Sequence, residues 1–178
     1  MKRMQKHESA AHGGGITANR SSFHPEFSVR TTTPRVLAEP PSPSALRRDA
    51  RLNPNCIACG KHNPKGLQLE FQNGPSGVDA IWTPTGEWES FQGTVHGGII
   101  STVLDEAMSK AVIVGNWEAL TVDLRVRFLG RVTPGERLSV RGWVIEKHGR
   151  KIRTEATLKT NAGAERAHTW ATFLVPRS

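Results

Sequence analysis

The sequence predicts an α+β fold in which one antiparallel sheet wraps around one long central helix. The segment from Gly97 to Val114 carries apolar residues on most sides of a helix, a pattern typical of a helix buried nearly all round. On both sides of it, apolar residues recur at every second position, which is the period of a half-buried strand. A sheet curved around the helix is the most economical way to bury it.

Two strands are predicted before the helix. Apolar and polar residues alternate in two segments, at Leu67, Leu69 and Phe71 and again at Val78, Ala80 and Trp82. Residues 73–77 between them are turn formers, so the two strands are expected to pair as a hairpin. A loop from Pro84 to Thr94 then leads to the helix.

Four strands are predicted after the helix, for which Gly115 is a candidate C-terminal cap. Strict alternation runs through residues 120–128 and then through 138–144, 152–158 and 167–173, with short turns between them. Consecutive long strands joined by short turns predict an antiparallel meander. In the first of these strands, alternation puts Thr121 on the same face as Asp123 and Arg125.

The first 50 residues show no sustained hydrophobic period and contain loop-forming stretches such as Gly13-Gly14-Gly15 and the Pro-rich segment 40–43. We therefore expect residues 1–50 to form a disordered or loosely attached tail and residues 51–178 to form one domain. Arg and Ser with few acidic residues leave a transit peptide as the alternative interpretation of this tail.

Charge and cysteine content limit the setting and the partners. The formal charge of +8 favours an anionic partner, but the sequence has neither zinc-finger spacing nor an aromatic-rich RNA-binding motif. The basic residues of the tail are expected to be solvated surface, and neither nucleic acid nor a membrane is expected as a partner. A nucleic-acid-binding protein that uses the charge of +8 is kept as an alternative. Two cysteines do not make a disulfide framework, and no secretory signal is visible, which predicts a cytoplasmic protein.

The start of the predicted helix carries the strongest chemical signal. Gly97 and Gly98 follow His96 and allow a substrate to approach closely, and the first helical N–H groups are free to bind a developing oxyanion. About two turns later Asp105 stands in an otherwise apolar helix, where a carboxylate is costly unless it is paired or functional. Glu106 is its direct rival. The free N–H groups at the helix start and a carboxylate on the same helix together predict an acyl-transfer site.

Three features together resemble the hotdog-fold thioesterases: the His-Gly-Gly turn with Asp105 nine residues after His96, the Thr-Val-Asp-Leu strand segment at 121–124, and the Pro-Gly-Glu turn at 134–136. The similarity runs from Asn53 to Val175 and is greatest for the phenylacetate-pathway (PaaI-like) acyl-CoA thioesterases. It implies the hotdog fold, acyl-CoA as substrate, and a site between two subunits whose sheets join edge to edge. Such dimers also pair into tetramers.

The resemblance also implies residue roles. Asp105 corresponds to the nucleophile or general base, Gly97 offers its N–H to the thioester carbonyl, and Thr121 orients the carboxylate or the water. Several members carry Asn shortly before the His-Gly-Gly motif, where this chain has Ser90 or Gln92. The residues expected to act in catalysis or to contact the substrate are therefore Asp105, Gly97, Thr121, His96, Gly98, Ser90 and Gln92.

Further candidates come from the residues themselves. His96 either shapes the turn through a ring-to-backbone hydrogen bond or acts as a general acid. Arg131, Arg150 and Lys151 lie at turns where the coenzyme A phosphates would pass. A thiolate is a competent leaving group, so no cofactor and no metal are expected for this chemistry.

The Cys56-x-x-Cys59 pair with His62 supplies three ligand types and leaves the fourth position of a structural zinc site unassigned. Redox activity is a second interpretation, and packed or free thiols are the preferred one. For the whole protein, a hotdog acyl-CoA dehydratase or hydratase and a non-catalytic acyl-CoA-binding module are the alternatives to a thioesterase.

Overall fold

The computed structural model of the protein describes residues 53–177. The predicted tail, residues 1–50, lies outside the described residues. The described part is built from eight strands and one long helix, with bounds as follows. They are β1 (Gln72–Gly74), β2 (Gly77–Trp82), β3 (Glu89–Phe91), β4 (Thr94–Val95), α1 (Gly97–Val114), β5 (Leu120–Phe128), β6 (Leu138–His148), β7 (Lys151–Thr160) and β8 (Glu165–Leu174). A short 3-10 helix, Gly86–Trp88, precedes β3.

Six strands form one antiparallel sheet in the order β1-β2-β6-β7-β8-β5, and β3 and β4 make a separate small ribbon. The helix lies on the inner face of the large sheet. The predicted α+β architecture, a sheet wrapped around one long helix, is confirmed.

Helix α1 has the bounds that its apolar pattern predicted, Gly97 to Val114. Val103, Leu104, Ala107 and Met108 are fully buried against the sheet, each large side chain contributing about 1.5–3 kcal/mol by leaving water. The helix approaches β6 so closely that a Cβ on Gly142 would lie 2.5 Å from the Ala107 carbonyl oxygen. Gly142 is therefore a packing requirement of this fold.

The helix ends at Gly115, which is the C-cap as expected. Its φ of −71° is ordinary, however, and the left-handed conformation is adopted by the next residue, Asn116, with φ 60°. Asn tolerates this conformation better than most side chains do, so the turn after α1 does not depend on the flexibility of glycine.

The predicted strand at 67–71 is wrong in its pairing, although its burial pattern is right. Leu67 and Leu69 are buried, but their N–H groups bond to the carbonyls of Ile57 (2.8 Å) and Ala58 (2.9 Å) in the preceding loop. Gln68 interrupts the extended chain with φ 52°. Only Gln72–Gly74 forms the hairpin with β2 that the turn predicted.

The meander prediction holds for β6, β7 and β8 only. Strand β5 lies beside β8, at the edge of the sheet, and does not pair with β6. The connection 129–137 is longer than a hairpin turn, so β5 need not lie beside the strand that follows it.

A bulge in β5 overturns the predicted orientation of Thr121. Thr121 pairs with Phe173, Asp123 pairs with Thr172 and Leu124 pairs with Ala171, so Val122 is an extra residue. Residues directly opposite each other share a face, and Phe173 and Ala171 belong to the core. Thr121 therefore faces the helix and does not share the outer face with Asp123 and Arg125.

Candidate active site

The first turn of α1 is shaped by His96, which is the N-cap residue. Its ring nitrogen Nδ1 accepts a 2.9 Å hydrogen bond from the N–H of Gly98, and its carbonyl accepts from Ile99 at 3.0 Å. The ring thus satisfies one of the free donors at the helix start. This is the turn-shaping role; with Nδ1 engaged, only Nε2 remains to face a substrate.

The N–H of Gly97 is the one expected to bind a carbonyl oxygen, and it has no hydrogen-bond partner among residues 53–177. The Phe128 ring borders this position, since a Cβ on Gly97 would lie 3.2 Å from its tip. Phe128 is itself 52% exposed. An unpaired donor at a helix N-terminus beside an open aromatic ring is a suitable place for a polarised carbonyl.

The Asp105 carboxylate lies two turns further along the helix and is half-buried. The Thr121 hydroxyl donates a 2.9 Å hydrogen bond to its Oδ1. Burial raises the pKa of Asp105, the Thr121 hydrogen bond opposes that shift, and the neighbouring Glu106 charge adds to it. A carboxylate with a raised pKa and a single orienting donor is suited to accept a proton or to attack a carbonyl.

Glu106, the rival of Asp105, turns to a different side of the helix. Its Oε1 pairs with Lys110 Nζ at 3.1 Å, and its Oε2 lies 3.9 Å from Cys56 Sγ. The Lys110 side chain is only 7% exposed. Glu106 is thus held in a side-chain cluster against the loop before β1, away from Thr121.

This cluster of Cys56, Cys59, Glu106 and Lys110 was not predicted from the sequence. One donor atom from each cysteine and from Glu106 lies within 4.8 Å of the others. The sequence signals for it were the Cys56-x-x-Cys59 pair and the i,i+4 spacing of Glu106 and Lys110 in an apolar helix. Burial raises the pKa of Cys59 to about 12, so its thiol is a poor nucleophile near neutral pH, which argues against the redox interpretation of this pair.

Gly97 and Asp105 lie too far apart to act on the same carbonyl within one chain. They are separated by eight helical residues, which is roughly 12 Å along the axis. A thioester carbonyl bound at Gly97 would therefore need a carboxylate from elsewhere. The structure brings Thr121 to Asp105, and His96 and Gly98 to Gly97, but it does not bring these two groups together.

Of the loop candidates, Ser90 and Gln92 are exposed, and the hydrogen bond that Asp105 accepts comes from Thr121. Arg131 anchors this loop, because its guanidinium donates to the carbonyls of Gly93 (2.7 and 3.1 Å) and Gln92 (3.3 Å). Arg131 thus holds the loop that leads to the helix start.

The predicted phosphate ligands lie at opposite ends of β5. Arg131 follows the end of β5, whereas Lys151 pairs with Leu174, which also pairs with the first residue of β5. Nine strand residues make this separation roughly 26 Å. Arg150 lies beside Lys151 and donates to the Val175 carbonyl at 2.7 Å. Within one chain the three basic residues therefore do not form one phosphate site.

Comparison with known proteins supports the fold and gives one family match over part of the chain. Residues 92–167 match the family described as the thioesterase superfamily. No curated protein matches the sequence. One solved thioesterase superfamily protein is 23% identical, with a TM-score of 0.65 over 67% of this chain and 60% of that chain, so the match spans 60% of the length of this relative.

Two further solved structures are similar. A hypothetical thioesterase from Streptococcus pneumoniae, solved with coenzyme A, is 18% identical with a TM-score of 0.58, over 62% of this chain and 88% of that chain. The Escherichia coli PaaI protein of the phenylacetic acid degradation operon is 16% identical with a TM-score of 0.57, over 61% and 83%. The Streptococcus pneumoniae protein was also solved with Ala replacing an aspartate and, separately, a threonine sixteen positions later.

In the described part of the chain, no helix has the length and apolarity needed to cross a membrane. The sheet order, the central helix and the match over residues 92–167 agree with one another. The described residues therefore have the hotdog fold, and residues 92–167 match the thioesterase superfamily.

Proposed function

We propose that the protein hydrolyses acyl-CoA thioesters to a free acid and coenzyme A, as a PaaI-like acyl-CoA thioesterase. The hydrogen bond from Thr121 to the half-buried Asp105 carboxylate is the observation that carries this proposal. It supplies an oriented base or nucleophile in a fold whose solved relatives include a thioesterase with bound coenzyme A.

The substituted aspartate and threonine of the Streptococcus pneumoniae protein support this choice of residues. They are sixteen positions apart, as Asp105 and Thr121 are here. A carboxylate on the helix and a hydroxyl on the next strand meet only at a particular separation, so equal spacing on the same fold favours the same pairing.

The active form we propose is a homodimer joined through β5. Within the described residues, β5 has a strand neighbour on one side only, and its Leu120 and Val122 are 68% and 59% exposed. An exposed apolar edge strand favours pairing with another strand. Antiparallel pairing of two β5 edges would bring the Asp105–Thr121 end of one subunit to the Gly97–Phe128 end of the other. Dimers assembled in this way can pair further into tetramers.

In this dimer, the thioester carbonyl oxygen accepts a hydrogen bond from the Gly97 N–H, and the helix dipole stabilises its growing negative charge. Asp105 of the partner subunit either deprotonates a water that attacks the carbonyl carbon or attacks it directly to form a mixed anhydride that water then cleaves. The carbon–sulfur bond breaks and the coenzyme A thiolate leaves, taking a proton. Acid and thiol are the products on both routes.

The proposed dimer also accounts for the positions of the basic residues. Arg131 belongs to the Gly97 end of one subunit, and Arg150 and Lys151 belong to the Thr121 end of the other. The dimer would bring both groups to the mouth of one site, where the phosphates of coenzyme A need positive charge. Ser90 and Gln92 would border the acyl group from the loop before the helix. The cytoplasmic setting remains part of the proposal.

The test is a free-thiol assay with the purified full-length protein on aromatic, short-chain and medium-chain acyl-CoAs. We expect thiol release with at least one of these classes, and its loss in Asp105→Asn. Tight acyl-CoA binding without thiol release would overturn the proposal in favour of a binding module. Interconversion of 3-hydroxyacyl-CoA and enoyl-CoA without thiol release would overturn it in favour of a dehydratase or hydratase.

A further inference from the structure

The Cys56, Cys59 and Glu106 side chains, which are outside the proposed catalytic site, converge on one point. Each offers one ligand atom, and the three atoms lie within 4.8 Å of one another. The Cys56 Sγ to Glu106 Oε2 distance is 3.9 Å. Two sulfurs and one carboxylate oxygen around a tetrahedral Zn²⁺ would be about 3.5–3.8 Å apart. Small side-chain rotations would bring these atoms to ligand positions.

The loop that carries the two thiols is built to hold them in place. The Ala58 N–H donates to Cys56 Sγ at 3.4 Å, and the Gly60 N–H donates to the Cys56 carbonyl at 3.0 Å. A Cβ on Gly60 would come within 2.3–2.6 Å of backbone atoms of Cys56 and Pro54, so the turn admits only glycine. The backbone N–H bond fixes the position of the Cys56 sulfur within the loop.

The loop is also fixed to the rest of the domain. Its Ile57 and Ala58 carbonyls accept the hydrogen bonds of Leu67 and Leu69, whose side chains enter the core. The third donor, Glu106, comes from the rigid central helix, 47 residues after Cys59 in the sequence. An ion held by all three residues would tie the N-terminal loop of the domain to α1.

Charge balance is compatible with a divalent ion at this point. Without metal, two neutral thiols accompany a carboxylate that is paired with the buried Lys110 ammonium at 3.1 Å. With Zn²⁺, the two thiols lose their protons to solvent, and two thiolates and one carboxylate balance the ion and the ammonium. The half-buried cluster is neutral in both states, so metal binding leaves no uncompensated charge. Thiolate ligands select zinc over magnesium or calcium.

We propose that Cys56, Cys59 and Glu106 bind one Zn²⁺ ion, with a water molecule as the fourth ligand and with Lys110 as the outer partner of Glu106. The ion has a structural role: it fastens the loop 56–60 to the helix turn that carries Asp105. The sequence alone did not indicate this site because the third donor is distant in the chain, and His62 appeared to be the nearer candidate.

The experiment uses the full-length protein, freed of metal by a chelator under reducing conditions and then titrated with Zn²⁺ against a chromophoric competitor. We expect one Zn²⁺ per chain with a Kd of ~1 µM or below. Cobalt in place of zinc should give an intense thiolate-to-cobalt charge-transfer band. This band identifies sulfur ligation in the unaltered protein, independently of the histidines elsewhere in the chain.

The variants Cys56→Ser and Cys59→Ser should each weaken zinc binding by more than about 100-fold, beyond the loss typical of an outer contact. Glu106→Gln should weaken it and leave the charge-transfer band in place. Asp105→Asn is the matched control, because this neighbouring carboxylate faces Thr121, and it should keep full stoichiometry. Absence of stoichiometric binding, a cobalt spectrum without the sulfur band, or retention of tight binding in both serine variants would overturn the proposal.

Discussion

The Thr121 hydroxyl reaches the Asp105 carboxylate at 2.9 Å because Val122 is an extra residue in β5. The bulge puts Thr121 on the helix-facing side together with Leu124, which a regular strand would not do. A β-bulge that redirects one side chain toward a carboxylate is a recurrent feature beside active sites. The register of β5 against β8 therefore determines whether Thr121 can orient the carboxylate on the helix.

Replacing Thr121 by Val keeps the shape and the strand propensity of the side chain and removes the hydroxyl. The hydrogen bond from Thr121 lowers the pKa of Asp105, so its loss should raise that pKa further. The acid limb of the pH–rate profile should then move to higher pH, and the rate at the plateau should fall about tenfold or more. Thr121→Ser retains the hydroxyl and should retain the profile. An acid limb unchanged in Thr121→Val would remove Thr121 from the mechanism.

Asp105→Asn should reduce thiol release by about 100-fold or more and should at the same time stabilise the folded protein at neutral pH. Burial raises the pKa of Asp105 above its ordinary 3.8, so the folded state disfavours the charged form. Stability is therefore lost in the wild type as pH rises through the folded-state pKa. The variant should have the higher Tm above that pKa, and the difference should vanish below pH 3.8. Asp79→Asn is the control: this carboxylate on β2 has a side chain that is 47% exposed and pairs with Arg141 at 3.8 Å, so its loss should leave thiol release unchanged and alter stability little. A Tm lower than that of the wild type at neutral pH would contradict the conclusion that burial disfavours the charged form of Asp105.

Gly97→Pro removes the one N–H that we assign to the thioester carbonyl. Proline is well tolerated at the first position of a helix, and His96 before it already has the extended conformation that proline requires, with φ −62° and ψ 132°. Thiol release should fall by about 100-fold or more. Gly97→Ala places the same Cβ beside Phe128 but keeps the N–H, and it should lose much less. Equal losses in the two variants would show that crowding at Phe128 matters and the donor does not.

Mixing two inactive variants tests whether the site is shared between subunits. Gly97→Pro and Asp105→Asn each disable both sites of their own homodimer. A mixed dimer contains one site with the native Gly97 and the native Asp105, so statistical subunit exchange should restore about one quarter of the wild-type rate. No recovery, with exchange verified by mass spectrometry, would contradict a site built from Gly97 of one subunit and Asp105 of the other.

Two substitutions at His96 distinguish a capping role from acid catalysis. His96→Ala removes the acceptor for the Gly98 N–H and should destabilise the protein by about 1 kcal/mol, as loss of an N-cap does. His96→Asn supplies an oxygen acceptor at the same position and should recover both the stability and most of the rate. Recovery of stability without recovery of rate would identify the ring as a proton donor.

The sequence predicted the parts of the fold that local pattern determines. The bounds of α1 follow from a run of apolar residues between two glycine-containing turns, and β5 to β8 follow from strict alternation. The positions of His96, Gly97 and Asp105 relative to one another were also predictable, because a helix fixes the spacing of its own residues.

The parts that failed depend on contacts between distant segments. Gln68 leaves the extended conformation because its amide bonds to the Gly60 carbonyl at 3.1 Å, which no alternation pattern encodes. The bulge at Val122 is set by the register of β5 against β8. The side-chain cluster at Glu106 combines a loop and a helix 47 residues apart. Each of these features appears only when the strands and the helix are assembled.

The placement of Gly97 and Asp105 on one rigid helix has a consequence for control in the cell. Under the proposed function, a single newly made chain has both the Gly97 N–H and the Asp105 carboxylate but is inactive, because the two groups cannot reach the same thioester. Association of two chains then activates the enzyme, and a low concentration of the protein leaves it inactive without any inhibitor.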